Sequence, residues 1–374
     1  MDLSLTDDQL FMRDEANRFL AERATSQAVR AAIAAGGHDA SLWKTISREL
    51  GWCGTAIPDE HGGLGLGATE LVLLAEETGR RLTPVPFWST ACLAAPVLLS
   101  LPKSEARNAL LTRIAAGDAT ATVALSEPGA RNPLSQRHVT AEKRNNGWRL
   151  SGECPAVANL ASADIVLMPA DCGGGIGVFA VEVARATVTA LDVLDPTMPM
   201  AALSLDNVTV DAAARLDDGG VDGVGFAEPL LWARIGLAAE QVGAAQGCLD
   251  LTLDYIGERV QFGRTIASFQ AIKHRCAELF VHVAEARSLL YGAAASLDAD
   301  AGEAGLEIDA AAVLATEVLW CAAEEAIQLH GGVGNTWEYD PHFYLRRAQA
   351  TAQMFGGSES SLSALANEVL GAAA

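Results

Sequence analysis

Residues 255–279 read YIGERVQFGRTIASFQAIKHRCAEL, and they join two long apolar stripes. Upstream, Leu231, Ile235, Ala238, Val242, Ala245, Leu249, Leu253 and Ile256 recur every three or four positions, the spacing that lines one face of a helix. Downstream, Ile272, Cys276, Leu279, Val283, Ala286, Leu290 and Ala293 repeat the pattern. A third helix is predicted from about Ile308 to Leu329 and a fourth from Pro341 to Met354. Long helices with one apolar stripe each, joined by short connections, bury those stripes against one another, so residues 226–374 are predicted to form a four-helix bundle.

Toward the N-terminus the period changes. Asp217 to Gly225, DDGGVDGVG, reads as an exposed connector. Before it, from Ala119 to about Val210, the period is two and β-branched residues accumulate, as in TATVAL, HVTAEKR, IGVFAVEV and LSLDNVTV. Asn145-Asn146-Gly147 sits between two such runs and predicts a hairpin turn, since Asn and Gly tolerate positive φ. Residues 119–225 are therefore expected to be a β-domain, barrel-like or a β-sandwich.

Residues 1–118 are helical in pattern again. Thr6 is a predicted N-cap ahead of Asp7 and Asp8, and helices are expected over Ser41–Leu50 and Ala68–Arg80. The loop AIPDEHGGLGLG, residues 56–67, follows no strand, so its glycines serve tight backbone turns and not a dinucleotide fingerprint. The expected fold class is α+β, mostly α, in the order helical domain, β-domain, helical bundle.

Composition narrows the function classes. A chain of 374 residues, half of them apolar, can bury large cores without external staples. A formal net charge of −21, with no run of Lys or Arg, argues against nucleic acid and anionic membranes. The seven cysteines are far apart, odd in number and without a C-x-x-C pair, which fits a reducing cytoplasm. The first twenty residues lack the basic start and apolar core of a secretory signal, and the apolar run Ala91–Leu101 is too short to span a bilayer. A cytoplasmic location is expected. His274 and Cys276, two positions apart on a helix, face different ways, so no metal site is expected.

The segment 255–279 closely resembles the helix-turn-helix of the acyl-CoA dehydrogenase family, which carries Arg, Phe-Gly and Gln at this spacing. AIQLHGGVGNTWEYDPHFYLRRA, residues 326–348, resembles the family's second signature. With LSEPGA at residues 125–130 and the α, β, α order, the resemblance covers essentially the whole chain. It implies FAD extended along a dimer interface. Arg259 and the Gly331-Gly332 turn would hold its pyrophosphate, a fixed cation and backbone N–H donors being what such a group needs. Gln270 and Gln328 would serve the phosphates and adenine, and Phe262 an apolar wall beside the nucleotide. Ser126 would donate to the pyrimidine ring, where charge grows as hydride arrives. Arg234 matches an arginine near the mouth of the acyl-CoA pocket. Taken without the resemblance, Arg259 is a surface partner of Glu258 or Asp254, Gln270 is solvated and the Gly pair is a helix stop. Ser126 is then a strand-end hydroxyl, Arg234 a solvated charge, and His330 a packing or hydrogen-bonding residue in place of a base.

The sequence also departs from the family. A base must remove the proton next to the thioester carbonyl. The usual Tyr-Glu-Gly-Thr signature is matched here by Phe355, Gly356, Gly357 and Ser358, which assigns Phe355 and Ser358 to the cofactor and leaves the base position as Gly356. The alternative position before Arg234 is Ala233. Glu359 is either a displaced base or an exposed carboxylate at a helix start, and Glu240 lies mid-helix with no assigned access to substrate. Ala156 and Ala158 stand where the family has an aromatic residue and a hydroxyl against the flavin ring. The adenine half is thus retained and the ring half eroded, a pattern similar to the β-type subunits of bacterial heteromeric acyl-CoA dehydrogenases, several of which act on steroid side-chain thioesters.

The resemblance implies α,β-desaturation of an acyl-CoA thioester, with an electron-transfer flavoprotein as acceptor, by a homo- or hetero-oligomer. The alternative is a catalytically silent subunit that completes a partner's FAD site. A related-fold flavin oxidase or monooxygenase is a further alternative to which no residue specifically points.

Overall fold

The computed structural model describes residues 4–125, 129–133, 138–217 and 226–371. Six helices open the chain: α1 (Asp7–Arg23), α2 (Ser26–Ala34), α3 (Ala40–Lys44), α4 (Ala68–Arg80), α5 (Ala95–Ser100) and α6 (Glu105–Ala115). Thr6 caps α1 in a reciprocal box with Gln9. The helix expected over 41–50 begins as α3 and widens into a π-helical turn over Thr45–Glu49. Loop 56–67 turns at Gly62 and Gly65, both at positive φ, and is stitched by backbone bonds such as Leu64 N–H to Gly54 O at 2.8 Å.

The central sheet comprises β1 (Ala121–Val123), β2 (Val139–Arg144), β3 (Gly147–Ala158), β4 (Ile165–Asp171), β5 (Ile176–Glu182), β6 (Thr187–Ala190) and β7 (Met200–Asp211). Its order is β1-β4-β2-β3-β7-β6, with β5 antiparallel beside β4. The expected hairpin is there, with Arg144 opposite Gly147 across Asn145-Asn146. Register shifts between Leu150 and Gly152 and between Cys154 and Val157 bend β3, and the sheet curls. One face, with Val123, Leu167 and Val178, packs on the helices; the other wraps its own core around Phe179, Met168 and Leu203.

The C-terminal part holds α7 (Ala227–Glu258), a short hairpin β8 (Val260–Gln261) and β9 (Arg264–Thr265), then α8 (Gln270–Asp298), α9 (Ala304–His330), α10 (Pro341–Thr351) and α11 (Gly357–Leu370). All but the first residue of the connector predicted over 217–225 lies outside the described residues. No described helix is long and apolar enough to cross a membrane. The mostly helical α, β, α architecture expected from the sequence is the architecture found.

Helices α4 and α7 cross with their backbones touching. A Cβ at Gly79 would lie 2.1 Å from the Glu240 carbonyl oxygen, and one at Gly243 would lie 1.8 Å from that of Glu76, so only glycine fits either place. That crossing buries two neighbouring carboxylates. Glu76 accepts from Arg287 at 2.6 Å and from the Tyr291 hydroxyl at 2.7 Å. Glu77 is left with Arg80 at 3.8 Å, and its Oε2 has no hydrogen-bond partner. Burial pushes the Glu77 carboxyl up to about 7, against the pull of Arg80 and with the help of Glu76. A carboxyl with a raised folded-state pKa binds its proton more tightly when folded, so stability falls as pH rises from about 4.5 to about 7. The full difference amounts to about 3 kcal/mol. Glu77→Gln, which mimics the protonated acid, is expected to raise the melting temperature by several degrees at pH 8 and to leave it unchanged at pH 4.5. Equal melting at pH 8 would show that the proton carries no such energy.

Candidate functional site

At one end of the bundle, the last turns of α7 and α9 are joined. The ring of Tyr255 stacks on His330 with centroids 4.2 Å apart, and its hydroxyl donates to the His330 carbonyl at 3.3 Å. His330 is buried, its Nδ1 lies 2.7 Å from the Ala326 carbonyl oxygen, and burial holds its pKa below the ordinary value. These contacts are those of a packing residue. Arg275 pairs with Glu325 at 2.6 Å and ties the start of α8 to the same end.

Around this knot lie Arg259, Phe262, Gln270, Gln328, Gly331 and Gly332, all exposed. Arg259 caps α7, and among the described residues it forms no ion pair with Glu258 or Asp254. Gly331 takes φ +66 where α9 stops, and nothing lies within 4 Å of a Cβ built on Gly331 or Gly332. Phe262 and Gly263 form the two-residue turn between β8 and β9, both at positive φ, as a type I′ hairpin requires. Positive φ is costly for a side chain of this size, yet the Phe262 ring is 92 % exposed. Apart from an edge contact with Phe269 at 6.3 Å, it meets solvent. An unpaired guanidinium, open backbone at a glycine turn, two free amides and a bare aromatic wall fit the demands of a dinucleotide. The hairpin itself escaped the sequence reading, because two-residue strands are too short to show a period.

The second region surrounds Gly356. Ser126 falls outside the described residues. Ala158 is buried, and its carbonyl accepts the Thr122 hydroxyl at 2.8 Å; Ala156 is half-buried, and neither offers a ring or a hydroxyl. Phe355 is buried at φ +54 and packs edge-on against Trp88, whose indole N–H donates to the Ala233 carbonyl at 2.8 Å. Gly356 takes φ +86, and a Cβ there would lie 2.7 Å from that of Ser360 and 3.2 Å from the Arg131 nitrogen. Ser358 lines a cavity of about 30 Å³ between α7, α9 and α11, and Glu359 is exposed in the first turn of α11.

Arg234 is buried and not solvated. It donates to Asp309 and, at 3.3 Å, to the Ser361 hydroxyl. Asp309, from the second turn of α9, also accepts from Arg131 at 2.6 and 3.1 Å. Burial works against its charge, but the Arg131 hydrogen bond and the Arg234 cation outweigh it and hold the carboxyl below the usual range. Sequence reading missed Asp309 and Arg131. The available signal was an aspartate beside Ile308 on an otherwise apolar stripe, where an unpaired charge is not tolerated. Glu240 is likewise buried, 3.1 Å from Arg347, and burial raises its carboxyl. His274 is exposed and Cys276 buried, and the described residues hold no group of three His, Cys, Asp or Glu suited to a metal ion.

Comparison with known proteins places these features in a lineage. Residues 6–118 match the family model described as "Acyl-CoA dehydrogenase, N-terminal domain", and residues 222–370 match "Acyl-CoA dehydrogenase, C-terminal domain". The chain is 34% identical over 366 residues to acyl-CoA dehydrogenase IpdE2 of Mycobacterium tuberculosis, covering 97% of this chain and 98% of that protein. It is similar to a chain of the ChsE4-ChsE5 complex from Mycobacterium tuberculosis, with 27% identity, TM-score 0.86 and full coverage of both. A chain of the steroid ACAD Tcur3481-Tcur3483 is 29% identical, with TM-score 0.83, covering 98% of this chain and 99% of that one.

Proposed function

Because the chain belongs to the acyl-CoA dehydrogenase family, we propose that it is one subunit of a heteromeric acyl-CoA dehydrogenase, lending the adenine and pyrophosphate half of an FAD site to a glutamate-bearing partner chain. The observation that carries this reading is the contrast between the two regions. Arg259, Phe262, Gln270 and Gln328, the side chains assigned to the adenine and pyrophosphate half, are exposed and uncommitted among the described residues, whereas the position of the base is a glycine boxed in by Ser360 and Arg131. When bound, FAD supplies the hydride acceptor for α,β-desaturation of the thioester. Arg259 neutralises pyrophosphate charge, the backbone at Gly331-Gly332 donates to it, and Gln270 and Gln328 orient the adenine end. Phe262 covers the nucleotide and so loses its exposure in the assembly. The base, on this reading, belongs to the partner.

Likeness to a steroid ACAD supports a bulky polycyclic acyl-CoA as substrate; the acceptor proposed with it is an electron-transfer flavoprotein. In the co-purified assembly, Arg259→Ala is expected to lower flavin affinity about tenfold to a hundredfold, the loss of a charge-assisted contact of 1.5–3 kcal/mol, while melting of the flavin-free chain stays put. Full flavin occupancy at limiting cofactor would refute the role of that arginine.

A further inference from the structure

A second cavity lies away from Gly356, where the start of α2 and the end of α4 meet α7 and α10. Its volume is about 210 Å³. Pockets for drug-sized molecules run to about 300–1,000 Å³, so this one suits a smaller molecule. Val29, Leu251 and Phe343 give it an apolar wall, and Arg80, Arg81, Asp250, Asp254 and Asp340 bring charge to it. Leu82 takes φ +46 just past α4, a left-handed turn where glycine is usual, and its buried side chain closes part of the same wall.

Most of these charges are matched within the chain. Asp250 accepts from Arg80 at 2.5 and 2.8 Å, and Asp340 accepts from Arg30 and, at 2.9 Å, from the Ser26 hydroxyl. Two charges are left over. Arg81 donates through Nη2 to the Asn17 side chain at 3.2 Å, but among the described residues it pairs with no carboxylate, although the buried Glu77 feels its charge. Its Nε is buried and has no hydrogen-bond partner. A buried guanidinium N–H left in this way is costly, and such atoms in folded proteins mark a place that water or a ligand fills. Asp254, across the cavity on α7, is exposed and has no partner among the described residues.

Charge selects the class of ligand. A phosphate dianion would face three carboxylates for one uncommitted arginine, and a diamine would face two arginines for one uncommitted carboxylate. A molecule with one charge of each sign finds a partner for both. Depth sets its direction, since the free N–H of Arg81 is buried and Asp254 stands at the mouth.

We propose that this cavity binds a small aminocarboxylate zwitterion, with its carboxylate on Arg81, its ammonium toward Asp254 and its carbon chain against Val29, Leu251 and Phe343. None of these residues is among those assigned to FAD, so the site stands or falls independently of the half-site reading.

The test is a calorimetric titration of the full chain, alone and in the co-purified assembly. The probes are ε-aminocaproate and leucine, with hexanoate and hexylamine as controls that carry one charge each. At least one zwitterion is expected to bind saturably, one per copy of this chain, and both controls to bind about tenfold more weakly or not at all. Arg81→Met and Asp254→Asn are each expected to weaken the zwitterion about tenfold while flavin content stays unchanged. Where Arg81→Met does not fold, Asp254→Asn, at an exposed position, carries the test by itself. No saturable binding of either zwitterion would overturn the proposal. So would hexanoate binding as tightly as the zwitterion, which would make the cavity a plain anion site, or an affinity that the folded variants leave unchanged.

Discussion

Arg347→Met is expected to destabilise the fold by about 3–5 kcal/mol, read as a fall in the denaturation midpoint. Arg347 lies in α10 with its side chain 4% exposed, donating to Asp195 from the β-domain, to Glu240 of α7 at 3.1 Å and to the Thr197 hydroxyl at 2.9 Å. Burial opposes its charge, and the two carboxylates more than offset that, so the arginine stays ionised. Among the described residues it is the one cation paired with Asp195 and Glu240, in a cluster that joins the β-domain to the bundle. Its removal strands two carboxylates, which are 1 % and 7 % exposed, and each must then take up a proton or drag water inward. The compensated variant Arg347→Met, Asp195→Asn, Glu240→Gln is expected to recover much of the loss, since neutralising the whole cluster leaves no orphan charge. A single-variant loss under 1 kcal/mol would mean that the cluster is solvated or rearranges.

The second large effect concerns the missing base. Gly356→Glu is expected not to create a dehydrogenase, and to cost about 2–5 kcal/mol of stability. A left-handed conformation costs a non-glycine residue about 1–2 kcal/mol, and forcing a Cβ to within 2.7 Å of the Ser360 Cβ adds an overpacking cost of about 1–3 kcal/mol. Gly356 is thus part of a turn that has closed on itself, and a carboxylate placed there would face Ser360 and the Arg131 backbone. Dye-coupled activity of the purified variant, with and without a partner chain, decides the point. Turnover by the variant alone would show that the turn reopens and that the base was the only missing part.

How much of this was legible beforehand follows from length scale. Helices α7, α8 and α9 run 32, 29 and 27 residues, long enough for their period to be unmistakable, and the β-domain announced itself through alternation and an Asn-Asn-Gly turn. The dinucleotide end was legible as residues but not as a surface. That Arg259 has no carboxylate partner among the described residues and that Phe262 stands bare depend on a hairpin two residues deep. The pocket end was least legible. Asp309 meets Arg131 across 178 positions and Arg234 across 75, and no local pattern encodes such a meeting. What the sequence does carry is the anomaly of an acid on a buried stripe, to which the structure supplies the partners. The close crossing of α4 and α7 was equally hidden, because nothing local distinguishes Gly79 and Gly243 until the backbone each one meets is known.

The central claim is that this chain supplies one half of a flavin site and depends on another chain for the rest. Flavin absorbance per chain, measured on the protein purified alone and after co-expression with a glutamate-bearing relative, tests it most directly. The account predicts a colourless chain alone and one flavin per pair of chains in the assembly. A stoichiometric flavin in the chain alone, or an assembly that stays colourless, would contradict it.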